Sequence, residues 1–135
     1  MSVLLRTEKM PIASSEDIVQ VRQAVRARAV ELRFSLVDQT KIVTAASELA
    51  RNTVIYGGGG TVELEVVEAA GRRGLRLTFE DHGPGIADID MAMKDGYTSG
   101  SGLGLGLGGS RRLSNEFEIR SRPGEGTVVS ITRWK

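Results

Sequence analysis

Four groups of residues in this chain have the types and the spacing for chemistry. Glu48 and Asn52 stand four apart in a stretch of helical periodicity, so their side chains share one face, one turn apart. A carboxylate there can act as a general base, and a carboxamide oxygen can hold a hard cation such as Mg²⁺. A plain solvent-exposed polar pair has the same spacing. Asp81-His82-Gly83-Pro84-Gly85 follows an alternating apolar segment. A carboxylate at a strand end can accept a hydrogen bond from an exocyclic amine, and glycines let a flat ligand approach the backbone. An ordinary Asp-initiated turn has the same composition. His82, the single histidine, reads as a spacer pointing to solvent.

From Gly100 to Gly108, glycine occupies every second position, with Ser101, Leu103, Leu105 and Leu107 between, ahead of a helix start. Successive bare backbone N–H groups make an anion site. No Gly-Lys-Ser/Thr follows, so this is not a Walker loop. No first βα turn surrounds it, so it is not the dinucleotide fingerprint either. Gly124-Glu125-Gly126-Thr127 reads as a hairpin turn. Its threonine can offer a hydroxyl toward Asp81 if their strands are neighbours.

The elements that must position these groups follow from periodicity. Val3, Leu5 and Thr7 alternate as a weak strand. Ser14 or Ser15 can cap a helix whose first turn carries Glu16 and Asp17 and whose buried stripe is Ile18, Val21, Val25 and Leu32. Its outer arginines read as solvated surface. Asp38 can cap a second helix running to about Tyr56, with Ile42, Ala45, Ala46, Leu49, Thr53 and Tyr56 on its apolar face. Gly57 to Gly60 end it. A period of two then takes over through Val62, Leu64 and Val66 and again through Leu75, Leu77 and Phe79, with Gly71 to Gly74 as the turn. Residues 88–109 read as irregular, apart from one helical turn at Ile89 to Met93 and a short helix from about Leu107 to Leu113. Strands at Phe117 to Ser121 and Val128 to Trp134 close the chain. The helices cluster rather than alternate with strands. This predicts an α/β (α+β) two-layer sandwich, a mixed β-sheet with helices packed on one face.

Composition narrows the function. The 135 residues form one domain's worth of chain, expected as a single domain over 1–135. The absence of cysteine excludes disulfide scaffolds, thiolate metal sites and cysteine nucleophiles. Lys+Arg is 18 against Asp+Glu 17, which lacks the basic excess of a nucleic-acid binder. No apolar run reaches the length of a membrane span, and the N-terminus lacks signal-peptide character. The expectation is a cytoplasmic protein that binds neither nucleic acid nor membrane.

In this order and spacing, the four groups resemble the GHKL nucleotide-binding superfamily, whose members share the Bergerat ATP-binding fold with its flexible lid. Glu48-Leu49-Ala50-Arg51-Asn52 matches the superfamily's helix box, and Asp81 to Gly85 its Asp-x-Gly-x-Gly box. Gly100 to Gly108 matches the lid with its second glycine box, and Gly126-Thr127 the final Gly-Thr. The resemblance covers nearly the whole chain. The length suits the stand-alone anti-sigma-factor serine/threonine kinases rather than the topoisomerase, chaperone, mismatch-repair or sensor-kinase members. Ser47 to Asn52, Glu80 to Ile86 and the Gly-Leu repeat before Arg111-Arg112-Leu113 look most like the switch kinases of the bacterial stressosome.

The resemblance implies ATP and Mg²⁺ as cofactors, and it implies roles. Asp81 binds the adenine amino group, with Thr127 helping through a shared water, and Gly83 and Gly85 line the adenine pocket. Gly102, Leu103, Gly104, Leu105 and Gly106 cradle the phosphates under a lid of about Asp88 to Gly104, which nucleotide orders. Asn52 holds Mg²⁺. Glu48 deprotonates a serine hydroxyl. Arg51 either pairs with Glu48 or faces a partner. The implied substrates are serines or threonines of STAS-domain stressosome proteins. The released kinase then activates a downstream phosphatase or another output protein. Two alternatives stay open: an anti-sigma-factor kinase that binds sigma directly, and a non-catalytic nucleotide-dependent switch.

Overall fold

The computed structural model describes residues 3–86, 88, 89, 93 and 106–135. The elements run β1 (Val3–Ile12), α1 (Ser15–Glu31), α2 (Leu36–Ile55), β2 (Gly60–Ala69), β3 (Arg72–Asp81), α3 (Gly106–Arg112), β4 (Glu116–Arg122) and β5 (Gly126–Trp134). Most of the expected lid lies outside the described residues, as do Gly102, Leu103, Gly104 and Leu105 of the phosphate loop. The turn expected at Ile89 to Met93 shows as the Met93 N–H donating to the Ile89 carbonyl at 2.9 Å.

Side-chain oxygens set the helix starts. The Ser14 Oγ accepts from the Asp17 N–H at 3.3 Å, and the Asp17 Oδ2 accepts from the Ala13 N–H at 2.8 Å. This reciprocal cap satisfies two donors at the helix N-terminus. The cap of α2 is Ser35, not Asp38: the Ser35 Oγ accepts from the Asp38 N–H at 3.1 Å. Asp38 instead uses its carboxylate on Arg133, whose Nη2 lies 2.6 Å from Oδ1. The helix therefore opens with Leu36 and Val37, which are exposed and face no core. At the other end Tyr56 leaves the apolar face and serves as the C-cap, 40% exposed. The glycines do end the helix, with Gly58 at φ 73° and Gly59 at φ 103°. The Gly59 N–H satisfies the Thr53 carbonyl at 2.8 Å.

The sheet order is β1-β2-β3-β5-β4, and every neighbouring pair is antiparallel rather than mixed. The reason lies in the connections. The chain leaves β1 at Ile12 and re-enters at Gly60, which are register partners, so the α1–α2 excursion returns to the end it left. The α3 crossover sets β4 running parallel to β3, but β5 inserts between them and opposes both, so no neighbouring pair is parallel. The β2–β3 turn is tighter than expected. Ala69 pairs with Arg72, leaving Ala70 (φ 52°) and Gly71 (φ 77°) as a two-residue turn. Both positions need positive φ, the geometry that matches strand twist.

One face of the sheet meets the helices. Val62 and Leu64 of β2, Leu75, Leu77 and Phe79 of β3, and Val129 and Ile131 of β5 are buried at alternating positions. They pack in one core cluster with Val21, Val25 and Ala29 of α1 and with Ile42, Ala45, Ala46 and Leu49 of α2. Asp81 continues the same alternation one step past Phe79, so the strand that carries the core also aims the Asp81 carboxylate toward the helix layer. On α2, Leu49, Ala50 and Thr53 are buried, and this fixes the rotation that sets Glu48 and Asn52 at the border of the packed face.

Candidate active site

Glu48 and Asn52 are both half-buried on the last turns of α2. Neither side chain spends its polar atoms on another described residue, and Arg51 makes no bridge to Glu48. The Asn52 carbonyl accepts from the N–H groups of Tyr56 at 2.9 Å and Gly57 at 3.2 Å, so the end of the helix is closed directly over this residue. The pair thus sits on hydrogen-bonded helix backbone, with side chains uncommitted to any other described residue.

Asp81 ends β3 and is half-buried. Its Oδ1 accepts from the Gly83 N–H at 2.9 Å, while Oδ2 has no hydrogen bond from a described residue. An ionised carboxylate only accepts, so the free oxygen suits a donor such as an exocyclic amine. Thr127 is the register partner of Asp81, so the two strands are neighbours and the side chains share a face. His82 points to solvent, with its side chain 84% exposed.

Ser121, unassigned in the sequence reading, binds this corner together. Its Oγ accepts from the Ile86 N–H at 2.8 Å, donates to the Gly126 carbonyl at 2.9 Å and lies 2.8 Å from the Thr127 Oγ1. A hydroxyl has one proton. Ser121 spends its proton on Gly126, so Thr127 must donate to Ser121. The Thr127 oxygen is left with lone pairs only and can accept from a ligand or a bridging water. Ser121 shares the inward face of β4 with Phe117 and Ile119, and a polar residue on an apolar alternation was the available signal. Gly85 (φ 76°) sits so close to β4 that a Cβ would lie 2.1 Å from the Arg122 carbonyl oxygen. Gly126 (φ 86°) likewise leaves no space against the Asp81 carbonyl oxygen, at 2.2 Å. The Gly124 N–H donates to the Pro84 carbonyl at 2.6 Å. The Asp81–Gly85 loop and the β4–β5 turn therefore form one corner.

Asp81, Gly83, Gly85 and Thr127 meet at this corner, and the backbone of Asn52 is tied toward it through Gly57. Gly106 opens α3, where Leu107 and Ser110 are buried. Among the described residues no cluster of three His, Cys, Asp or Glu could hold a metal alone, and no helix is long and apolar enough to cross a membrane.

Comparison with known proteins assigns the class. Residues 37–135 match the family described as histidine kinase-, DNA gyrase B-, and HSP90-like ATPase, and the chain belongs to it. The α+β sandwich is this family's Bergerat fold. The chain is 47% identical over 123 residues to the serine/threonine-protein kinase RsbT of Bacillus subtilis (strain 168), covering 91% of this chain and 92% of that protein. The enzyme expected from the motifs, an ATP-dependent protein serine/threonine kinase, is the kind that this relative is. The chain is also 30% identical over 128 residues to the anti-sigma F factor of Thermoanaerobacter sp. (strain X514), covering 91% and 89% of the two chains. The solved RsbU and RsbW domains of a Mycobacterium tuberculosis protein share the fold. Their TM-score is 0.65 at 21% identity, over 97% of this chain and 33% of that one.

Proposed function

We propose that this chain, acting as a single domain over residues 1–135 in the cytoplasm, is a partner-switch protein kinase. It transfers the γ-phosphate of ATP to a serine or threonine of STAS-domain stressosome proteins. Once released, it activates a downstream phosphatase or another output protein. The observation that carries the reading is the acceptor-only pair at the site corner. Asp81 Oδ2 and the Thr127 oxygen face the same side in direct register, in a chain of the ATPase family whose 47%-identical relative is a serine/threonine-protein kinase.

The proposed roles are those that the family resemblance implies. Asp81 receives the adenine amino group, and Thr127 accepts from a water shared with it. Gly83 and Gly85 line the adenine pocket. Gly102, Leu103, Gly104, Leu105 and Gly106 hold the phosphates. Glu48 takes the proton of the substrate hydroxyl as its oxygen bonds to the γ-phosphorus, and the bond from that phosphorus to the β–γ bridging oxygen breaks, leaving ADP. The residues fit a cation that keeps waters and phosphate oxygens as ligands, since Asn52 offers an uncommitted carboxamide oxygen and, among the described residues, no acidic cage surrounds it. Mg²⁺, when bound there, neutralises phosphate charge. Most of the catalysis is positioning and charge compensation.

Incubation with radiolabelled ATP, Mg²⁺ and a STAS-domain protein, followed by mapping of the label, tests this. Label on one serine or threonine is expected. Nucleotide binding without transfer favours the non-catalytic switch, which the presence of Glu48 argues against. The 30% identity to an anti-sigma F factor supports a second reading, a kinase that also binds a sigma factor directly. Co-purification with a sigma factor rather than with STAS-domain proteins would select it.

A further inference from the structure

The glycine run after α2 has no part in the roles above, although only two of its members, Gly58 and Gly59, have the positive φ that calls for glycine. Gly57 is glycine for lack of space. A Cβ built on it would lie 2.4 Å from the Asp81 Cγ and 2.6 Å from the Asp81 Cβ and Oδ2. Non-bonded carbons settle at roughly 3.5–4.0 Å, so the carboxylate and a methyl group cannot share this volume. Gly83 meets the same point from the loop side: its Cβ would lie 2.8 Å from the Gly57 Cα and carbonyl oxygen. The Gly83 N–H also holds the Asp81 Oδ1 at 2.9 Å. The carboxylate therefore rests on the bare Cα of Gly57 and is gripped by Gly83. Gly57 is itself fixed, because its N–H donates to the Asn52 carbonyl at 3.2 Å. Gly58 is the contrast, with φ 73° and open space around its Cβ position.

We propose that Gly57 is a positioning residue for Asp81, the backbone floor that sets how deep and in which direction the base-recognising carboxylate lies; this rests on the nucleotide reading of the site. Through the Asn52 carbonyl, the same peptide fixes that carboxylate relative to the helix that carries Glu48 and Asn52. A side chain at Gly57 lifts the carboxylate off its seat and weakens recognition of the base, leaving the phosphate-transfer groups on α2 in place.

The test uses Gly57→Ala, Gly58→Asn and Asp81→Asn in the full chain. ADP affinity is measured by calorimetry, steady-state kinetics by phosphotransfer, and exchange of the Gly83 amide in nucleotide-free protein by NMR. Gly57→Ala should weaken ADP binding by about tenfold or more, the scale of one misplaced hydrogen bond to a charged group. It should raise the KM for ATP more than it lowers kcat, and it should speed Gly83 exchange. Gly58→Asn should keep wild-type affinity, since asparagine tolerates the left-handed region. Wild-type ADP affinity and unchanged Gly83 exchange in Gly57→Ala overturn the proposal. If Gly57→Ala does not fold, Gly83→Ala enters the same contact from the loop, and wild-type ADP affinity in that variant overturns it equally. Should Asp81→Asn bind ADP normally, the nucleotide reading fails; should it bind poorly while Gly57→Ala binds well, only the seat fails.

Discussion

Ser121 shows how much one hydroxyl can determine. It satisfies the Ile86 N–H and the Gly126 carbonyl and, by using its only proton, turns Thr127 into an acceptor toward the site. Ser121→Ala should leave two backbone groups unpaired and cost about 1–3 kcal/mol. Urea denaturation would measure this, and an unchanged midpoint and slope would show that water replaces the hydroxyl at no cost. Glu48, Asn52, Asp81 and Thr127 could be singled out in the sequence because each is polar where a periodic pattern meets its border. Ser121 carried a similar signal, a polar residue on an apolar alternation, but its role was not legible, because its partner Ile86 is 35 residues away and no local pattern encodes that contact. Gly57 was visible as part of a run, but its reason is a contact with Asp81, which no spacing rule contains.

At the scale of elements, Arg133 is the clamp. It donates to the Asp38 Oδ1 near the start of α2 and to the Leu113 carbonyl at 2.9 Å just after α3, fixing two helices to β5. The hydrogen bond from Arg133 holds the Asp38 carboxyl below the usual carboxylate range, against the opposing effect of burial. A carboxylate with a depressed folded pKa contributes stability that is present above its unfolded pKa of about 3.9 and lost as pH falls through the folded value. Asp38→Asn should therefore lower the melting temperature at neutral pH, and the gap from wild type should close below pH ~4. A gap that stays constant into acid would show that the pair carries no such linkage. The order of the elements was legible because each keeps one clear period. The start of α2 was not, because Leu36 and Val37 are apolar yet exposed and mask Ser35 as the cap. The strand directions were not legible either, because they depend on β5 entering between β3 and β4, a choice made by tertiary packing.

For the whole molecule, the sheet supplies Asp81 and Thr127, α2 supplies Glu48 and Asn52, and the glycine corner between them locks the two layers together. Ligand that binds only the folded chain stabilises all of it. Mg²⁺-ATP or ADP at ~100 times its dissociation constant should add about 2.7 kcal/mol. Asp81→Asn should lose most of that gain, because an amide cannot reproduce the acceptor pattern of a carboxylate. Thermal denaturation with and without nucleotide would show it, and an equal shift in both proteins would remove Asp81 from the base pocket. The central claim is that Glu48 performs the proton transfer of a protein kinase. It is tested most directly by measuring ATP binding and phosphotransfer to a STAS-domain protein on the same Glu48→Gln preparation. The account predicts wild-type ATP affinity with transfer reduced by roughly 10²- to 10⁴-fold. Transfer at near wild-type rate with binding intact would contradict it.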